Sequence, residues 1–544
     1  MERFDQTRDV PPTPAARRAA LSLGLALAAA LPARTLAAQV GTRADPRIDT
    51  VIVVSHNVFD PPDGTPRLVA KLGNALHVTT HPAVIRRLLL VGAGSPLDSA
   101  RLVESERALR ELGVFRSVRL DTLRVHDRLA LRVETADGWS TSPQLNFASS
   151  AGSTTWSAAM VERNFLGLAT LVSVSYGATP DRHSLDLQFA SPGFVFRHAP
   201  LVALYSHLSD GDAGQWGYGL PFYRTDARWA LFTTGEAANQ RALDFRDGVV
   251  ADSAVRHALV FGLTGGVALR ATSRDYIRLW AGAVWRREDY VPKTTPATPA
   301  PYSAFGTVGV GIDAARVRFG VYRHLNGFAQ QEDVDLSSTL SLGVWAAPQA
   351  WGYPGSRAGI GPAVSGQMAA RWSTGLALAR ADAHGVYSSG GLDSGQTHAS
   401  LDVASLAWPR QALLLHVEGG AMQGQRPGTT FDPWVTLNGP RGFGAHAFTG
   451  TRLLYAMLED RILVADQLWG VVGLGLAPYL EYGGAWYGGQ ERARLGGDAG
   501  LALRIGSPRS VRGDVGEFAV SYRYRRFAGE GPWALTVRKS FALK

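Results

Sequence analysis

The chain has 544 residues and a formal net charge of +9, so more than one domain is expected, and its scattered basic residues favour a solvated surface over nucleic-acid binding. It contains no cysteine, which excludes disulfide scaffolds, cysteine-ligated zinc sites and thiol catalysis. Its 61 glycines and many aromatic residues, without an uninterrupted apolar run of about 18 residues, favour a large β-barrel over a helical membrane protein.

The first 38 residues predict a secretory signal peptide. Arg17 and Arg18 precede an apolar run at residues 19–31, and small residues lead to a cleavage site near residues 37–38. The run is too short to remain in a membrane as a helix. Because a barrel with an apolar outer surface must cross the periplasm unfolded, we expect general secretion rather than twin-arginine export.

Residues 45–136 predict a small α+β domain. The helix after Asp98 carries apolar side chains on one face and charged side chains on the other, and Gly113 follows where a left-handed cap is expected. The predicted elements are, in order, a strand in Ile48–Phe59, a short helix at Leu68–Leu76, helices at Ala83–Val91 and Ala100–Leu112, and strands at Val114–Val125 and Leu129–Val133.

Residues 139–544 show the alternation of apolar and polar side chains that the strands of a membrane barrel require. Val172, Val174 and Tyr176 alternate with serines, and the same period recurs along the rest of the chain. A soluble sandwich gives the same alternation, but the length of the array and the signal peptide favour a transmembrane antiparallel β-barrel. Roughly 400 residues at about 25 residues per strand and loop predict about 16 strands.

The first and last strands of such a barrel meet at a seam. We expect the first strand at about Leu145–Met160 and the last at Trp533–Leu543. Trp533 and Phe541 fall on the apolar face of the last strand, and Phe541 provides an aromatic residue near the C-terminus, as outer-membrane barrels usually have. This strand is the expected targeting signal for the host's assembly machinery.

Two motifs carry a resemblance to a known family. Arg441, Gly442 and Phe443 form a glycine-bounded tip that is followed by an alternating strand. The sequence ESERALRELGVFRSVRL, which begins at Glu104, passes from a helix into a strand. The first motif resembles the signature loop, and the second resembles part of a periplasmic POTRA domain, of the outer-membrane assembly barrels of the BamA/TamA-type and two-partner-secretion family.

The resemblance implies that the Arg441 tip folds back inside the barrel, where its arginine meets an acidic residue of the wall. Glu481 is the first expected partner, because the segment Ala477–Trp486 resembles the wall strand of the family, in which an acidic residue precedes a glycine. Glu459 is the second expected partner. An arginine that is partly desolvated needs a carboxylate, and a bidentate pair fixes the orientation of the loop.

The resemblance also implies a function, namely insertion or translocation of polypeptides rather than catalysis. An unfolded client polypeptide would add to an edge of the POTRA sheet, at Val114–Val125 or Leu129–Val133, and would then pair with the opened seam. The expected location is the bacterial outer membrane, with lipids around the barrel and the POTRA domain in the periplasm. No cofactor and no nucleic-acid partner is expected.

Two alternatives stay open from the sequence. One is a passive pore or structural barrel, and the less favoured one is an outer-membrane hydrolase, since no motif unites serine, histidine and aspartate residues. His77 and His81 have the spacing of zinc ligands on a helix, but no third ligand is near and Pro82 interrupts the geometry. A metal site is therefore not predicted.

Overall fold

The computed structural model covers the N-terminal α+β region and the barrel. The predicted signal peptide, residues 1–38, lies outside the described residues, and its cleavage stays a prediction. The described residues are 46–59, 67–126, 128–150, 153–292, 300–328, 331–353, 357–388, 391–424, 428–436, 438–508 and 515–543.

An N-terminal unit of three helices and a three-stranded sheet precedes the barrel. Its elements are β1 (Thr50–His56), α1 (Arg67–Leu76), α2 (Pro82–Leu88), α3 (Ser99–Glu111), β2 (Phe115–Val125) and β3 (Arg128–Asp137). Its core contains Ile85 of α2, Leu109 of α3 and Leu131 of β3, all fully buried. Two of the three helices therefore cover one face of the sheet.

Local chemistry fixes both ends of α3. The Asp98 side chain accepts the backbone N–H of Ala100 at 2.8 Å, which satisfies a donor that the first turn leaves free. At the other end Gly113 has φ 66°, a left-handed conformation that glycine adopts without steric cost. Between these caps Leu109 faces the core, while Arg107 and Arg110 point toward the barrel.

The sheet order corrects one prediction about client binding. Strand β3 lies in the middle of the sheet, parallel to β1 and antiparallel to β2. The prediction that Leu129–Val133 offers a free edge is therefore wrong, because both rows of its backbone groups are paired. The edges of this sheet are β1 and β2, so the other predicted edge, Val114–Val125, corresponds to an edge strand.

Twenty of the remaining strands form a closed barrel, in which β25 lies beside β4. All but β14 and β15 belong to it, and these two form a separate hairpin. In chain order the strands are β4 (Thr141–Ser150), β5 (Ser153–Glu162), β6 (Leu171–Ala178), β7 (His183–Ser191), β8 (Leu201–Leu208), β9 (Gly211–Leu220), β10 (Trp229–Arg246), β11 (Val249–Ala271), β12 (Asp275–Pro292), β13 (Ala300–Arg316), β14 (Phe319–Tyr322), β15 (Glu332–Asp335), β16 (Ser338–Ala347), β17 (Gly359–Trp372), β18 (Gly375–Ser388), β19 (Gly391–Ser405), β20 (Gln411–Gln423), β21 (Arg452–Leu468), β22 (Val472–Trp486), β23 (Gly496–Gly506), β24 (Val515–Arg525) and β25 (Trp533–Lys539).

The predicted mainly-β barrel fold is confirmed, but the barrel has twenty strands rather than about 16. The reason lies in the first third of the barrel, where β4 to β9 are short and closely spaced between Thr141 and Leu220. The expected first strand at Leu145–Met160 is likewise two strands, because β4 and β5 pair with each other and Phe147 lies opposite Trp156. The seam strands are therefore β4 and β25.

The two faces of the barrel strands differ in polarity. On β24 the outward side chains Phe518, Val520 and Tyr522 are about half exposed, whereas Glu517 and Ser521, on the opposite face, are fully buried. An apolar outer surface around a polar interior is the arrangement of a transmembrane barrel. None of the helices in the described part of the chain is long and apolar enough to span a membrane.

The connection between β13 and β16, which carries the β14–β15 hairpin, packs inside one end of the barrel. Its Leu325 and Leu336 join a buried cluster with Leu378 of β18 and Leu414 of β20. The N-terminal unit reaches this connection through Arg110, whose guanidinium donates to both carboxylate oxygens of Asp333 at 2.7 and 2.9 Å. The unit therefore sits at the barrel end where β4 begins.

Candidate functional site

The long connection between β20 and β21, residues 424–451, turns back into the barrel. It contains the short helix α4 (Pro433–Thr436) and the tip formed by Arg441, Gly442 and Phe443. The Arg441 side chain is fully buried and Phe443 is nearly so. The contacts of the tip are with inward-facing side chains of β21 to β25, so the loop lies against the inner wall next to the seam.

The Arg441 guanidinium contacts three carboxylates of the wall. Its Nη2 lies 2.8 Å from Glu459 of β21 and 2.8 Å from Glu481 of β22, and its Nη1 lies 3.2 Å from Glu517 of β24. The backbone N–H of Arg441 also donates to Glu481 at 2.7 Å. The structure thus brings Arg441 together with both partners expected from the sequence, and adds Glu517 as a third.

Further arginines lie against the same carboxylates. Arg461 donates to Glu459 at 2.7 Å, and Arg538 of β25 lies 3.5 Å from Glu481. All four of these side chains are buried. Because removing ions from water costs several kcal/mol each, such a cluster is stable only when its charges are paired and hydrogen-bonded. Loss of one partner would leave an uncompensated charge in the wall.

Two tyrosines hold the ions of the tip in place. The Tyr455 hydroxyl donates to Glu481 at 2.8 Å, which adds a hydrogen bond to a carboxylate that already accepts from Arg441. The Tyr479 ring lies under the guanidinium, with its centroid 3.8 Å from Arg441 Cζ. A cation above a desolvated aromatic ring is stabilised by the ring quadrupole. The tip arginine is therefore fixed from three sides.

Gly442 is required by the close approach of the tip to the wall. Its N–H donates to Asp498 of β23 at 3.0 Å. A Cβ atom at this position would lie 2.9 Å from a carboxylate oxygen of Asp498 and 3.2 Å from Cβ of Ser521. The next residue, Phe443, packs against Phe448 and Phe527, with ring centroids 5.0 and 5.7 Å away. The tip therefore fits the wall on both its polar and apolar sides.

The tip also contacts the last strand directly. The Thr536 hydroxyl of β25 donates to the carbonyl oxygen of Arg441 at 2.8 Å. Arg538, on the same strand, lies 3.5 Å from Glu481 and 3.7 Å from Glu517. The loop and its ion cluster therefore extend across β21 to β25 and end on a seam strand.

The C-terminal tail differs from the predicted last strand. Strand β25 ends at Lys539, and the following residues fold into the barrel instead of continuing along its outer surface. The carbonyl oxygen of Phe541 accepts from Arg461 at 2.6 Å, and Leu543 exchanges two hydrogen bonds with the Asn326 side chain, at 2.7 and 2.8 Å. The prediction that the strand continues to Leu543 is therefore wrong, since buried partners in the interior bind the tail.

Trp533 and Phe541, which were expected on one apolar face, lie in different environments. Trp533 is 64% exposed on the outer surface and packs edge-on against Tyr522, with ring centroids 5.1 Å apart. Phe541 lies inside the barrel with its ring centroid 4.9 Å from that of His416. The structure therefore does not bring these two residues together.

The base of the loop is anchored by a histidine that the sequence did not single out. His446 Nε2 lies 2.7 Å from Asp181 in the β6–β7 turn, Nδ1 bonds to Asp432, and the ring stacks on Phe245 at 3.7 Å. Burial alone would lower the pKa of His446, but the two carboxylates outweigh it and raise the pKa to about 9. The anchor therefore carries a positive charge at neutral pH.

The histidines with zinc-like spacing have other roles. His77 Nε2 lies 3.0 Å from buried Asp137, and the backbone N–H of His81 donates to the carbonyl oxygen of Gly167 at 3.0 Å. In the parts of the chain that the structure describes, no group of three or more histidine, aspartate or glutamate side chains is placed to hold a metal ion.

Comparison with known proteins gave structural likenesses only. No family model and no curated protein matches the chain. The chain is similar to the structure of BamA from Haemophilus ducreyi lacking POTRA domains 1–3, with 10% identity, 90% of this chain and 84% of that chain covered, and a TM-score of 0.38. It is also similar to CdiB from Escherichia coli, with 11% identity, 91% of this chain and 76% of that chain covered, and a TM-score of 0.48. The similarity to CdiB from Acinetobacter baumannii has 10% identity, 84% of this chain and 74% of that chain covered, and a TM-score of 0.40.

Several contributors to the site were missed from the sequence, among them Glu517, Asp498 and Thr536. The signal for Glu517 was present, because the alternation in VGEFAVSYRYR places it on the face opposite Phe518 and Val520. An acidic residue on the inner face of a strand close to the seam is a candidate partner for a tip arginine. Thr536 carries no comparable signal, since threonine is common on both faces of strands.

Proposed function

We propose that this protein inserts polypeptides into the bacterial outer membrane, or translocates them across it, through the seam between β4 and β25. The observation that carries the proposal is the contact of the inward-folded loop with the last strand. Thr536 of β25 binds the main chain of Arg441, and Arg538 of the same strand lies against Glu481. The tip therefore holds the inner face of one seam strand while leaving its outer edge for pairing.

The physics of an open seam favours a client strand. Backbone N–H and C=O groups that face lipid without partners cost several kcal/mol each, so an open edge in the membrane strongly favours any strand that pairs with it. Strand β25 has only seven residues, from Trp533 to Lys539, and is the shortest strand of the barrel. A short closing strand has few hydrogen bonds to exchange when the client arrives. The proposed activity is therefore physical rather than catalytic.

The C-terminal tail would limit how far β25 can move. Arg461 binds both Glu459 of the ion cluster and the carbonyl oxygen of Phe541 in the tail. Asn326, from the connection between β13 and β16, binds Leu543 through both main-chain polar groups. We propose that these contacts tether the end of β25 inside the barrel, so that the seam opens without losing its last strand.

The N-terminal unit is proposed to be a POTRA domain in the periplasm. Its edge strand β2 (Phe115–Val125) would accept an extended client segment by main-chain pairing, as exposed sheet edges do. Leu123 and Val125 of this strand are about 40% exposed, so they supply apolar contacts along the edge. The unit would then present the client beneath β4, to which it connects directly through β3.

The test is client folding in proteoliposomes that contain the purified full-length protein. An unfolded outer-membrane barrel protein is added from urea, and its conversion to a heat-resistant, protease-protected form is followed with time. We expect the full-length protein to accelerate this conversion and Arg441→Ala to slow it. Arg270→Ala, which removes an exposed arginine of β11, should leave the rate unchanged.

The passive barrel is the alternative that the same preparation can reveal. Ion conductance through the reconstituted protein, combined with client folding no faster than in empty vesicles, would overturn the proposal in favour of a pore. Acceleration that is equally fast in the Arg441→Ala variant would leave client handling intact but would contradict the role of the tip.

A further inference from the structure

A turn beside the N-terminal unit exposes a run of large apolar side chains. Phe194, Val195 and Phe196, in the connection between β7 and β8, are 41%, 68% and 66% exposed. We call these three residues the apolar turn. Val195 has φ 59°, a left-handed conformation that is unfavourable for a β-branched residue. Three consecutive large apolar side chains in water are unfavourable unless another phase covers them.

The apolar turn is continuous with the lipid-facing surface of the barrel. The Phe194 ring packs edge-on against Phe189 of β7 and Tyr218 of β9, with centroids 6.1 and 6.2 Å away. Phe189 lies on the same strand face as Leu185 and Leu187, which are exposed on the outer surface. The apolar outer surface of the barrel therefore extends to the apolar turn, at the barrel end where the N-terminal unit sits.

Basic side chains surround the apolar turn. Arg86 and Arg87 of α2 and Arg197, which follows the turn, are all exposed. Arg87 donates to the carbonyl oxygen of Gly193 at 2.6 Å, and Arg197 donates to that of Leu89 at 2.7 Å. Because a guanidinium has five N–H donors, each of these arginines keeps donors for another acceptor.

The charge at this surface acts on a neighbouring histidine. Burial, together with the positive charges of Arg197, Arg224 and Arg87, lowers the pKa of His198 to about 4. His198 is therefore neutral at physiological pH, and its ring stacks on Tyr223 with centroids 4.4 Å apart. The positive charges of the neighbouring arginines also attract anions.

We infer that the apolar turn and Arg86, Arg87 and Arg197 form a membrane anchor that inserts Phe194–Phe196 into the adjacent leaflet and binds the anionic headgroups of phospholipids. Apolar side chains flanked by arginines match the acyl and phosphate layers of a phospholipid surface. Because Arg87 and Arg197 also join α2 to the turn, the anchor would hold the N-terminal unit against the membrane. The inference rests on the barrel's lipid-facing surface and does not depend on client handling.

A single-cysteine label measures whether the apolar turn enters the membrane. Because the chain has no cysteine, Val195→Cys gives one site for a nitroxide in the full-length protein. Accessibility to oxygen, which concentrates in lipid, is compared with accessibility to a water-soluble nickel chelate in phospholipid vesicles. Leu187→Cys, on the outer face of β7, is the lipid reference, and Val103→Cys, 64% exposed on α3, is the water reference.

We expect the label at residue 195 to prefer oxygen, as the label at residue 187 does. A preference for the nickel chelate equal to that at residue 103 would overturn the inference. Heat-resistant migration of each labelled protein confirms that the barrel is folded. Should Val195→Cys fail to fold, Phe196→Cys supplies the same measurement, since residue 196 is equally exposed.

Headgroup binding is tested separately with defined lipids. Retention of phosphatidylglycerol and of phosphatidylcholine on the detergent-solubilised protein is compared by native mass spectrometry. We expect a preference for phosphatidylglycerol that falls about fivefold in Arg86→Gln, the factor for one arginine at an anionic surface. Equal retention of both lipids, or no change in Arg86→Gln, would contradict the assignment of these arginines to headgroups.

Discussion

The two ends of the loop between β20 and β21 are held by different chemistry. The tip is held by Arg441, which is fully buried among Glu459 and Glu481 and carries its charge at every physiological pH. The base is held by His446, which lies between Asp181 of the β6–β7 turn and Asp432. The tip contacts the seam strand β25, whereas the base contacts the β6–β7 turn through Asp181. We therefore expect the geometry of the seam to depend on a permanent charge, and the attachment of the loop to the β6–β7 turn to depend on a charge that titrates.

Arg441→Ala should have the largest effect on barrel stability, because it leaves three carboxylates of the wall without their shared partner. We expect a loss of about 3–5 kcal/mol in barrel stability, the usual result of breaking a buried ion pair. Stability is measured by the temperature at which the barrel loses heat-resistant migration on a gel. The exposed pair of Arg270 and Asp275 provides the control, and Arg270→Ala should cost about 1 kcal/mol or less.

Gly442→Ala should have the next largest effect, because the added Cβ atom meets Asp498 and Ser521. We expect a cost of about 1–3 kcal/mol from overpacking at a rigid wall, measured as above. Gly531→Ala is the matched control, since a Cβ there meets nothing within 4 Å. Equal stability of the two variants would contradict the close contact of Gly442 with Asp498 and Ser521.

The base of the loop should respond to pH through the charge of His446, whereas the charge of Arg441 should not change. The folded pKa of His446, about 9, lies above its ordinary value, so its stabilisation is complete below about pH 6.5 and is lost as pH rises through about 9. We expect His446→Gln to be less stable than the parent by about 1.5–3 kcal/mol at pH 6, with the difference shrinking by pH 10. A difference that is constant from pH 6 to pH 10 would show that the charge of His446 is not what anchors the loop.

Thr536→Val should have the smallest effect, because it removes one neutral hydrogen bond to Arg441 and keeps the side-chain shape. We expect a cost of about 1 kcal/mol to barrel stability. The informative result is the rate of client folding. Because this contact lies on the seam strand, the rate should fall by more than the small loss of barrel stability explains. Ser341→Ala, on β16 and away from the seam, is the comparison: it removes a hydroxyl that donates to Asp313, and should affect stability without affecting the rate.

Much of the fold followed from local pattern. Alternation predicted the barrel, and the sequence around α3 predicted a helix at Ala100–Leu112, close to the observed Ser99–Glu111, because caps and a single apolar face are local properties. The number of strands could not be predicted from the sequence, because a hairpin such as β4–β5 shows the same alternation as one longer strand. The course of the C-terminal tail could not be predicted either, because it depends on the contact of Leu543 with Asn326, which lies 217 positions away in the chain.

The site was predictable only where a motif marked it. Arg441 and its neighbours were found through the tip motif, and Glu481 through the segment that resembles a wall strand. Asp181 and His446 contact each other across 265 positions, and neither residue stands in a pattern that indicates the other. Long-range pairs of this kind depend on which strands the closed barrel brings to the same rim.

Reversible locking of the seam tests the proposed function most directly. Paired cysteines at facing positions of β4 and β25, in a chain that otherwise has none, allow the same preparation to be oxidised and then reduced. We expect oxidation to stop the folding of an added outer-membrane barrel protein in proteoliposomes, and reduction to restore it. Client folding that proceeds at the same rate with the seam locked would contradict the claim that β4 and β25 part to admit polypeptides.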